Sequence, residues 1–406
     1  MSESSDTTLR PVPGTIDLVI RNARLPRHSD VLDVAVGDGR VVTIGPRLPG
    51  EAVVELDARG GLVAPGLVDG HVHLDKALTA DQAPPDQIGD LRTRDGLERA
   101  IAASRVLKQG FTVESVRERT IRAARMAARA GTTLLRSQVD VDPIVGLIGI
   151  RGVLEAKQVC APWIEIQVVA FPQEGIFRAP GTEDLLREAL RLGADAVGGA
   201  PALDDRPAEH ICLVFRLAEE FGLPVDMHVD ESDRPGDFTL PYVVDEASRP
   251  DAPTVTIAHI SSLAVQPDDV ARATIARLVD VGIHVSVNPI IVKITRLREL
   301  FEAGANVMFG SDNLRDPFYP LGNANPLGTA LLACQLAALG SEQDLLRAFD
   351  AVTANAARAL GRPGHGVTEG SPADLVVFEA TTASEAILDQ RPPRFVLKAG
   401  RIVPVQ

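Results

Sequence analysis

The sequence predicts an α/β fold, a (β/α)8 TIM barrel joined to a small β-sandwich domain built from both chain ends. In the middle of the chain, eight short apolar runs alternate with helical runs, which is typical of a parallel barrel of about 250 residues. Both ends instead contain short strand-like runs separated by turns. We expect the sandwich in residues 1–64 and 362–406 and the barrel in residues 65–361 of the 406-residue chain.

The predicted sandwich strands lie at the two ends of the chain. Residues 15–64 hold several apolar runs, and GDGR at 37–40 has the Asp-Gly chemistry of a tight hairpin. A similar pattern returns at residues 370–405, where Ala399 and Gly400 separate two apolar runs. We therefore expect both ends to assemble into one small sheet domain.

The eight predicted barrel strands are short apolar runs. They cover residues 67–75, 132–141, 163–171, 195–200, 224–230, 254–260, 284–289 and 306–312. Several of the helical runs between them finish at a glycine, which is common just after a helix C-terminus. These glycines are Gly131, Gly193, Gly222, Gly282 and Gly304.

The charge and the cysteines argue against several classes of partner. The net charge is −14 at pH 7 and no Lys/Arg block is present, so we expect neither a nucleic-acid nor a membrane partner. No apolar run approaches the roughly 18 residues of a membrane span, and the N-terminus shows no signal-peptide pattern. The three cysteines, Cys160, Cys212 and Cys334, form no CxxC pair, so we expect a reduced, cytoplasmic protein.

Polar residues stand where several predicted barrel strands end, which is where barrel enzymes carry their active sites. Half of the eight histidines occupy such positions, together with two carboxylates and one amide. The set is His71, His73, Gln173, His228, Glu231, His259 and Asp312.

Four of these residues predict a metal site. His71 and His73 share one face of the first strand and lie roughly 6.5–7 Å apart along it. His228 and Asp312 would complete the site across the barrel mouth, and three nitrogens with one oxygen suit zinc, iron(II) or manganese. Taken singly, each histidine has an alternative as a core residue, and Asp312 has one as a helix cap. Their joint occurrence at strand ends favours one divalent metal ion.

Several longer strings resemble the amidohydrolase superfamily, specifically its cytosine deaminase-like branch. They are PGLVDGHVHLDK, FPQEGI, MHVDE, AHISS, NPIIV and FGSDNLRDPFYPLGNANPL. The resemblance extends from about residue 15 to the C-terminus. It implies a (β/α)8 barrel with a β-sandwich made from both chain ends, in agreement with the strand pattern.

The resemblance also implies a role for each strand-end residue. The ligands of one divalent ion would be His71, His73, His228 and Asp312. The ion would lower the pKa of a bound water from about 15.7 towards 7 and so supply hydroxide. Glu231, His259 and Asp312 would transfer protons, and Gln173 would hydrogen-bond the substrate ring. The fourth strand ends without the Lys or Glu that bridges two metals in other branches, so the resemblance implies a single ion.

Some positions depart from the cytosine deaminase pattern. Asn313 stands in place of an aspartate, Phe318 in place of a tryptophan and Gln138 in place of a histidine. A lysine at position 76, after HVHLD, instead resembles the pattern of the N-alkylammelide hydrolases of s-triazine breakdown, which belong to the same branch. We expect Gln173, Asn313, Phe318 and Lys76 to contact the substrate, although a solvent-facing Lys76 is the alternative.

The sequence thus predicts a metal-dependent hydrolytic deaminase that removes ammonia or an amine from a small nitrogen heterocycle such as cytosine. The alternatives are an aminohydrolase of an s-triazine or other cyclic amidine, a cyclic amidase, and a non-catalytic barrel. We expect a homo-oligomer. The connection at residues 77–93 is interpreted either as a lid or as a surface excursion. His28, His210 and His365 lie away from the strand ends and are expected at the surface.

Overall fold

The computed structural model describes residues 16–49, 52–83, 93–290 and 293–404. Its strands are β1 (Leu18–Arg24), β2 (Val31–Gly37), β3 (Arg40–Gly45), β4 (Val54–Asp57), β5 (Val63–Pro65), β6 (Leu67–Val72), β7 (Thr132–Asp140), β8 (Glu165–Phe171), β9 (Ala196–Gly199), β10 (Val225–Val229), β11 (Val255–His259), β12 (His284–Val287), β13 (Asn306–Phe309), β14 (Leu375–Val377), β15 (Phe395–Lys398) and β16 (Arg401–Ile402). Its α-helices are α1 (Arg94–Lys108), α2 (Val113–Arg129), α3 (Ile148–Cys160), α4 (Thr182–Leu192), α5 (Pro207–Phe221), α6 (Leu240–Ala247), α7 (Asp268–Asp280), α8 (Leu297–Glu302), α9 (Pro326–Leu336), α10 (Glu342–Ala351), α11 (Ala354–Ala359) and α12 (Ala383–Asp389).

The central sheet contains eight parallel strands that follow one another in chain order from β6 to β13. Each strand lies within one of the eight predicted apolar runs. The sheet closes on itself because Val72, at the end of β6, forms a parallel bridge with Asp312, just after β13. Helices such as α3 and α5 pack against its strands. The predicted (β/α)8 barrel is therefore confirmed.

The ends of the barrel helices follow from local sequence. α2 begins at a capping box, in which Thr112 and Ser115 exchange side chain–backbone hydrogen bonds of 3.1 Å. All five glycines predicted at helix ends have positive φ angles, between 64° and 110°. Residues with a β-carbon rarely adopt such angles, so glycine is the residue that lets the chain leave the helix there.

The chain ends form two further four-stranded sheets, with strand orders β3-β2-β1-β4 and β16-β15-β14-β5. Apolar side chains from both sheets share one buried cluster, which includes Leu18, Ile20, Val63, Leu375 and Leu397. This arrangement is the predicted small sandwich, in which β5 from the N-terminal part pairs with β14 from the C-terminal part. The boundaries after residues 64 and 361 stay a prediction.

Helix α1 lies over the C-terminal ends of the barrel strands. Its Leu97 and Ile101 belong to a buried cluster with Phe171 at the end of β8, Leu203 after β9 and Phe318 after β13. Apolar burial of this kind is the main force that fixes such a helix in place. One face of α1 is consequently turned towards the predicted site.

Two of the three histidines expected at the surface are buried, so that prediction was wrong for them. His210 accepts a hydrogen bond from Ala200 N at 3.0 Å through Nε2, and its Nδ1 lies 2.7 Å from Asp204 Oδ2. His365 is also buried, and its Nε2 lies 2.7 Å from a backbone carbonyl oxygen. Polar partners inside the fold offset the free-energy cost of burying an imidazole. His28 is exposed as expected.

No helix in the described part of the chain is long and apolar enough to cross a membrane. The cytoplasmic location and the homo-oligomeric state stay predictions. Within the connection at residues 77–93, residues 84–92 lie outside the described residues, so the choice between a lid and a surface excursion stays open.

Candidate active site

Barrel closure brings the first and eighth strands together at the candidate site. His73 N donates to Asp312 O at 2.7 Å, and Asp312 N donates to His71 O at 2.8 Å. These bonds continue the sheet beyond β6 and β13. They hold three of the strand-end residues side by side at the C-terminal end of the barrel, where all three are buried.

The side chains of these residues converge with that of His228. His73 Nε2 lies 3.2 Å from His228 Nε2, and Asp312 Oδ1 lies 3.5 Å from Nε2 of both His71 and His73. Both ring nitrogens of His71, Nδ1 of His73 and of His228, and Oδ2 of Asp312 have no hydrogen-bond partner. Buried polar atoms are rarely left unpaired, so this concentration of them suits a bound cation.

The protonation states of the cluster also suit a cation. Burial lowers the pKa of His73 to about 4, and the positive charge of Lys76 acts in the same direction. Burial also lowers the pKa of His228 well below its usual range. Burial alone would raise the pKa of Asp312, but its contacts with His71 and His73 outweigh that effect and lower the pKa. Neutral imidazoles and an ionised carboxylate are the forms that bind metals.

Ligand atoms of His71, His228, His259 and Asp312 all lie within 4.8 Å of one another, and those of His73, Asp75 and Asp140 form a second such group. His73 Nε2 also lies 3.2 Å from His228 Nε2 and 3.5 Å from Asp312 Oδ1, so His73 is an alternative to His259 in a combination with His71, His228 and Asp312. Either combination offers imidazole nitrogens and a carboxylate oxygen. This donor set fits a zinc-like divalent ion better than calcium or magnesium.

The backbone at the ends of β11 and β13 is strained. His259, Ile260 and Asp312 have φ angles of 71°, 42° and 61°. Such left-handed conformations are uncommon outside glycine and are least favourable for a β-branched residue such as isoleucine. Ile260 N donates to Val229 O at 2.9 Å, which helps to hold this bend against β10. The strain coincides with two of the candidate site residues.

Glu231 lies beside His259 at the edge of the cluster. Glu231 Oε1 is 4.0 Å from His259 Nε2, and Asn288 Nδ2 is 3.5 Å from the same nitrogen. Burial raises the pKa of Glu231 to about 8, and the negative charge of Asp312 adds to this effect. Burial lowers the pKa of His259 to about 3. At neutral pH a protonated carboxyl group therefore stands next to a neutral imidazole.

Asp230 anchors the loop that carries Glu231. Its Oδ1 accepts hydrogen bonds from Thr239 N and Thr239 Oγ1, each at 2.7 Å, and its Oδ2 accepts one from Leu240 N at 2.9 Å. The carboxylate thus closes the loop onto the start of α6. The position of Glu231 is set by these bonds and by β10 before it.

Lys76 is buried, so the alternative of a solvent-facing lysine was wrong. Its Nζ donates to Asp140 Oδ1 at 2.8 Å and to Gln173 Oε1 at 3.3 Å, and it lies 5.2 Å from the centroid of the Phe318 ring. Burial alone would lower the pKa of Lys76, but the carboxylates of Asp140 and Asp75 outweigh that effect and raise it. A charged ammonium group therefore lies beside Gln173 and Phe318.

Asp140 also contacts a second buried lysine, which comes from α1. Lys108 Nζ lies 3.0 Å from Asp140 Oδ2 and donates to Asp142 Oδ2 at 2.7 Å and to Glu174 Oε1 at 3.1 Å. These five residues, Lys76, Asp140, Lys108, Asp142 and Glu174, form a buried charge network. The network connects α1 to the ends of β6, β7 and β8.

Asn313 and Phe318 lie in the loop after β13. Asn313 Nδ2 donates to Asp316 Oδ2 at 2.8 Å, and Asp316 Oδ1 accepts from Phe318 N at 2.9 Å. Burial raises the pKa of Asp316 to about 7. Phe318 packs with Phe171 and Leu97 in the cluster under α1. This loop therefore presents an aromatic wall, while the amide of Asn313 is turned to its own loop.

Sequence reasoning overlooked four residues in or beside the site. Asp140 ends β7 and Asn288 directly follows β12, so the rule that located the other strand-end residues could have found both. Arg94 and Lys108 lie on α1, whose place over the barrel mouth has no signal in the sequence. Their contribution depends entirely on tertiary packing.

Comparisons with known proteins agree with this architecture. The sequence matches the model of the Amidohydrolase family over residues 54–404. The N-isopropylammelide isopropyl amidohydrolase of Pseudomonas sp. (strain ADP) is 33% identical over 95% of this chain and 97% of its own length. The pterin deaminase of Rhizobium rhizogenes (strain K84) is 30% identical over 96% of this chain and 94% of its own length.

A solved structure is also similar to this chain over nearly its whole length. The crystal structure of 5-methylcytosine deaminase from Klebsiella pneumoniae, liganded with 5-fluorocytosine, matches with a TM-score of 0.86 at 30% sequence identity. The match covers 95% of this chain and 97% of that one, so it includes both the barrel and the sandwich. The chain belongs to the amidohydrolase family and is a hydrolase of carbon–nitrogen bonds.

Proposed function

We propose that the protein is a metal-dependent hydrolytic deaminase, which removes ammonia or an amine from a small nitrogen heterocycle such as cytosine or a related pyrimidine. The observation that carries this proposal is Glu231, a buried carboxyl group with a pKa raised to about 8, next to a cluster of imidazoles and Asp312. Hydrolytic deamination benefits from a positioned group that can give a proton to the ring near neutral pH. Glu231 is such a group.

The proposed ligands of one divalent ion are His71, His73, His228 and Asp312. His73 is preferred to His259 because its Nε2 lies 3.2 Å from His228 Nε2, whereas His259 Nε2 faces Asn288 and Glu231. Zinc, iron(II) and manganese fit this donor set. When bound there, such an ion would lower the pKa of a water towards 7, which would supply the nucleophile.

The chain's own residues then move the protons. Asp312 Oδ2, which has no hydrogen-bond partner, accepts a proton from the attacking water, with His259 as the second acceptor. Glu231 gives its proton to the ring nitrogen next to the attacked carbon, so negative charge does not build up there. The proton taken from the water then passes to the amine, the carbon–nitrogen bond breaks, and the hydroxyl proton of the intermediate returns to Glu231 as the carbonyl forms. Positioned proton transfers of this kind contribute about 10²–10⁴-fold in rate each.

Four residues are proposed to contact the substrate. Because Gln173 Oε1 accepts from Lys76, the amide Nε2 of Gln173 is the group offered to an acceptor on the ring. The buried ammonium of Lys76 suits a ring carbonyl oxygen. Phe318 forms the aromatic wall over the ring, and Asn313 contributes at the edge of the same loop.

A second candidate is an aminohydrolase of an N-alkylammelide-type s-triazine. The relative named for N-isopropylammelide favours it, and so does Lys76, which lies where a ring rich in oxygen substituents would meet it. A cyclic amidase fits less well, since Gly199, Ala200 and Pro201 stand at the end of β9 in place of a bridging lysine or glutamate.

An ammonia-release screen tests the proposal. Protein loaded with zinc, iron(II) or manganese is incubated with pyrimidines, s-triazines, pterins and creatinine-like rings, and ammonia, alkylamine and ring-opened product are each measured. We expect release of ammonia or an alkylamine from at least one of these classes. Ring opening without release of an amine would instead indicate a cyclic amidase.

A further inference from the structure

A cavity of about 110 Å³ lies beside Gln173, between α1 and the loops after β8 and β9. This volume is roughly that of three or four molecules of liquid water. Three arginines line it, Arg94, Arg105 and Arg178, together with two glutamates. The lining therefore carries one more positive than negative charge, next to a residue that we propose to contact the substrate.

The cavity-lining face of α1 is continuous with the face that covers the site. Arg94, Glu98, Ile101 and Arg105 recur at helical spacing and all line the cavity. Leu97, on the same face, packs in the cluster with the site residue Phe318. The arginines thus project from the same face that closes over the proposed substrate ring.

Arg94 is the buried arginine of this lining, whereas Arg178 is exposed and donates to Leu203 O through Nη1. Its side chain is 8% exposed, its Nε lies 3.1 Å from Glu98 Oε1, and its Nη2 donates to Ala202 O at 3.2 Å. Its Nη1 is buried and has no hydrogen-bond partner. Glu98 is 55% exposed, so water screens this ion pair, and Nη1 remains a donor that Glu98 does not use.

The location of Arg94 is fixed from two sides. Its backbone N donates at 3.3 Å to Oδ1 of Asp233, which lies two residues after Glu231. Its guanidinium group donates to the carbonyl oxygen of Ala202, in the loop after β9. Arg105 differs, because its Nε donates to Glu174 Oε2 at 3.1 Å, and Glu174 is largely buried. Arg94 therefore combines a fixed position with an unpaired donor.

We propose that this cavity is a substrate subsite for an anionic substituent, above all a carboxylate, and that Arg94 selects it. The inference rests on the proposed function, because it places the substituent on the side of the ring that faces α1. A guanidinium group matches a carboxylate in geometry and charge, and a buried donor left unpaired by a neutral ring is satisfied by an anionic one. The enzyme accordingly prefers a heterocycle that carries an acidic group.

Matched pairs of rings test this inference. Cytosine is compared with 5-carboxycytosine, and pterin with 6-carboxypterin, in the metal-loaded wild type, Arg94→Gln and Arg99→Gln. Arg99 is exposed on the same helix and serves as the matched control. We expect the wild type and Arg99→Gln to favour the carboxylated member of at least one pair by tenfold or more in kcat/KM. In Arg94→Gln that ratio should fall to within about twofold of unity.

Calorimetric titration with the same four rings separates failure of this inference from failure of the proposed function. Ammonia release without a carboxylate preference would overturn the subsite and leave the deaminase proposal intact. If no ring is turned over, the deaminase proposal fails for these classes, and binding decides the subsite alone. Tighter binding of a carboxylated ring that Arg94→Gln abolishes would support it, and equal binding of both members would overturn it.

Discussion

Lys76 Nζ and Asp140 Oδ1 lie 2.8 Å apart, and both side chains are almost completely buried. The second oxygen of the same carboxylate lies 3.0 Å from Lys108 Nζ, so two buried ammonium groups share one aspartate. Burial would raise the pKa of Asp140, but Lys108 and Lys76 outweigh that effect and lower it. The ammonium beside the proposed substrate pocket is therefore held by a charge network that reaches α1.

Lys108→Met is expected to destabilise the fold strongly. The substitution leaves the buried carboxylates of Asp140 and Asp142 without their shared partner, and breaking a buried ion pair costs about 3–5 kcal/mol. Urea unfolding followed by circular dichroism measures the loss in the free energy of unfolding.

Lys157→Met provides the matched control for this stability experiment. Lys157 Nζ lies 2.7 Å from Asp195 Oδ2, but the two side chains are 25% and 34% exposed. An exposed pair contributes about 0–1 kcal/mol, so the control should lose far less stability. Equal losses in the free energy of unfolding would show that the buried charge network contributes no more to stability than the exposed pair.

The barrel could be predicted from the sequence because eight apolar strand signals alternate with helical runs, and five of the helices end at a glycine. The strand-end rule then located His71, His228 and Asp312, which the structure brings together. Backbone bonds between the ends of β6 and β13 join His71 to Asp312, and β10 carries His228 to the same place. The rule operates because parallel strands of one barrel end on the same side.

The contacts around the site could not be predicted from the sequence in the same way. The burial of Lys76 depends on the carboxylate of Asp140, which lies on another strand. Asp140 in turn contacts Lys108, from a helix folded over the barrel mouth. His210 is buried for a similar reason, since its partner Asp204 lies in a loop that only the fold positions. The sequence alone does not show which partner residue allows a charged or polar side chain to be buried.

His228→Ala should remove both metal and activity. The ring nitrogens of His228 and His73 are 3.2 Å apart at the centre of the cluster, so the loss of one imidazole leaves an incomplete donor set. Elemental analysis after purification should show a clear fall in metal per chain, together with loss of ammonia release. His28→Ala, at an exposed position, should retain both. Full metal content in His228→Ala would contradict the proposed ligand set.

Glu231→Gln should retain the metal and lower the rate at least a hundredfold, because the amide cannot donate the carboxyl proton. The pKa of Glu231 is raised to about 8, so the active, protonated form predominates below pH 8. The rate of the wild type should therefore fall as the pH rises through about 8. This alkaline limb of the pH profile should be missing from the residual activity of Glu231→Gln. If the fall in rate at alkaline pH were unchanged in the variant, it would have to come from the titration of another group.

Gly310→Ala should weaken metal binding, because an added β-carbon displaces the backbone of His71, whose carbonyl accepts from Asp312 N, and also Asn288 Oδ1, which would lie 2.7 Å away. A β-carbon at Gly310 would lie 2.5 Å from His71 Cβ and 2.6 Å from His71 O, so the backbone that carries this imidazole must shift. Displaced or unsupported ligands typically lower metal affinity by about 10–100-fold. Competition of the protein with a chelator for zinc measures this loss. Gly340→Ala is the control, because a β-carbon there meets nothing within 4 Å, and its affinity should equal that of the wild type. Wild-type zinc affinity in Gly310→Ala would contradict the assignment of His71 as a ligand that this backbone holds in place.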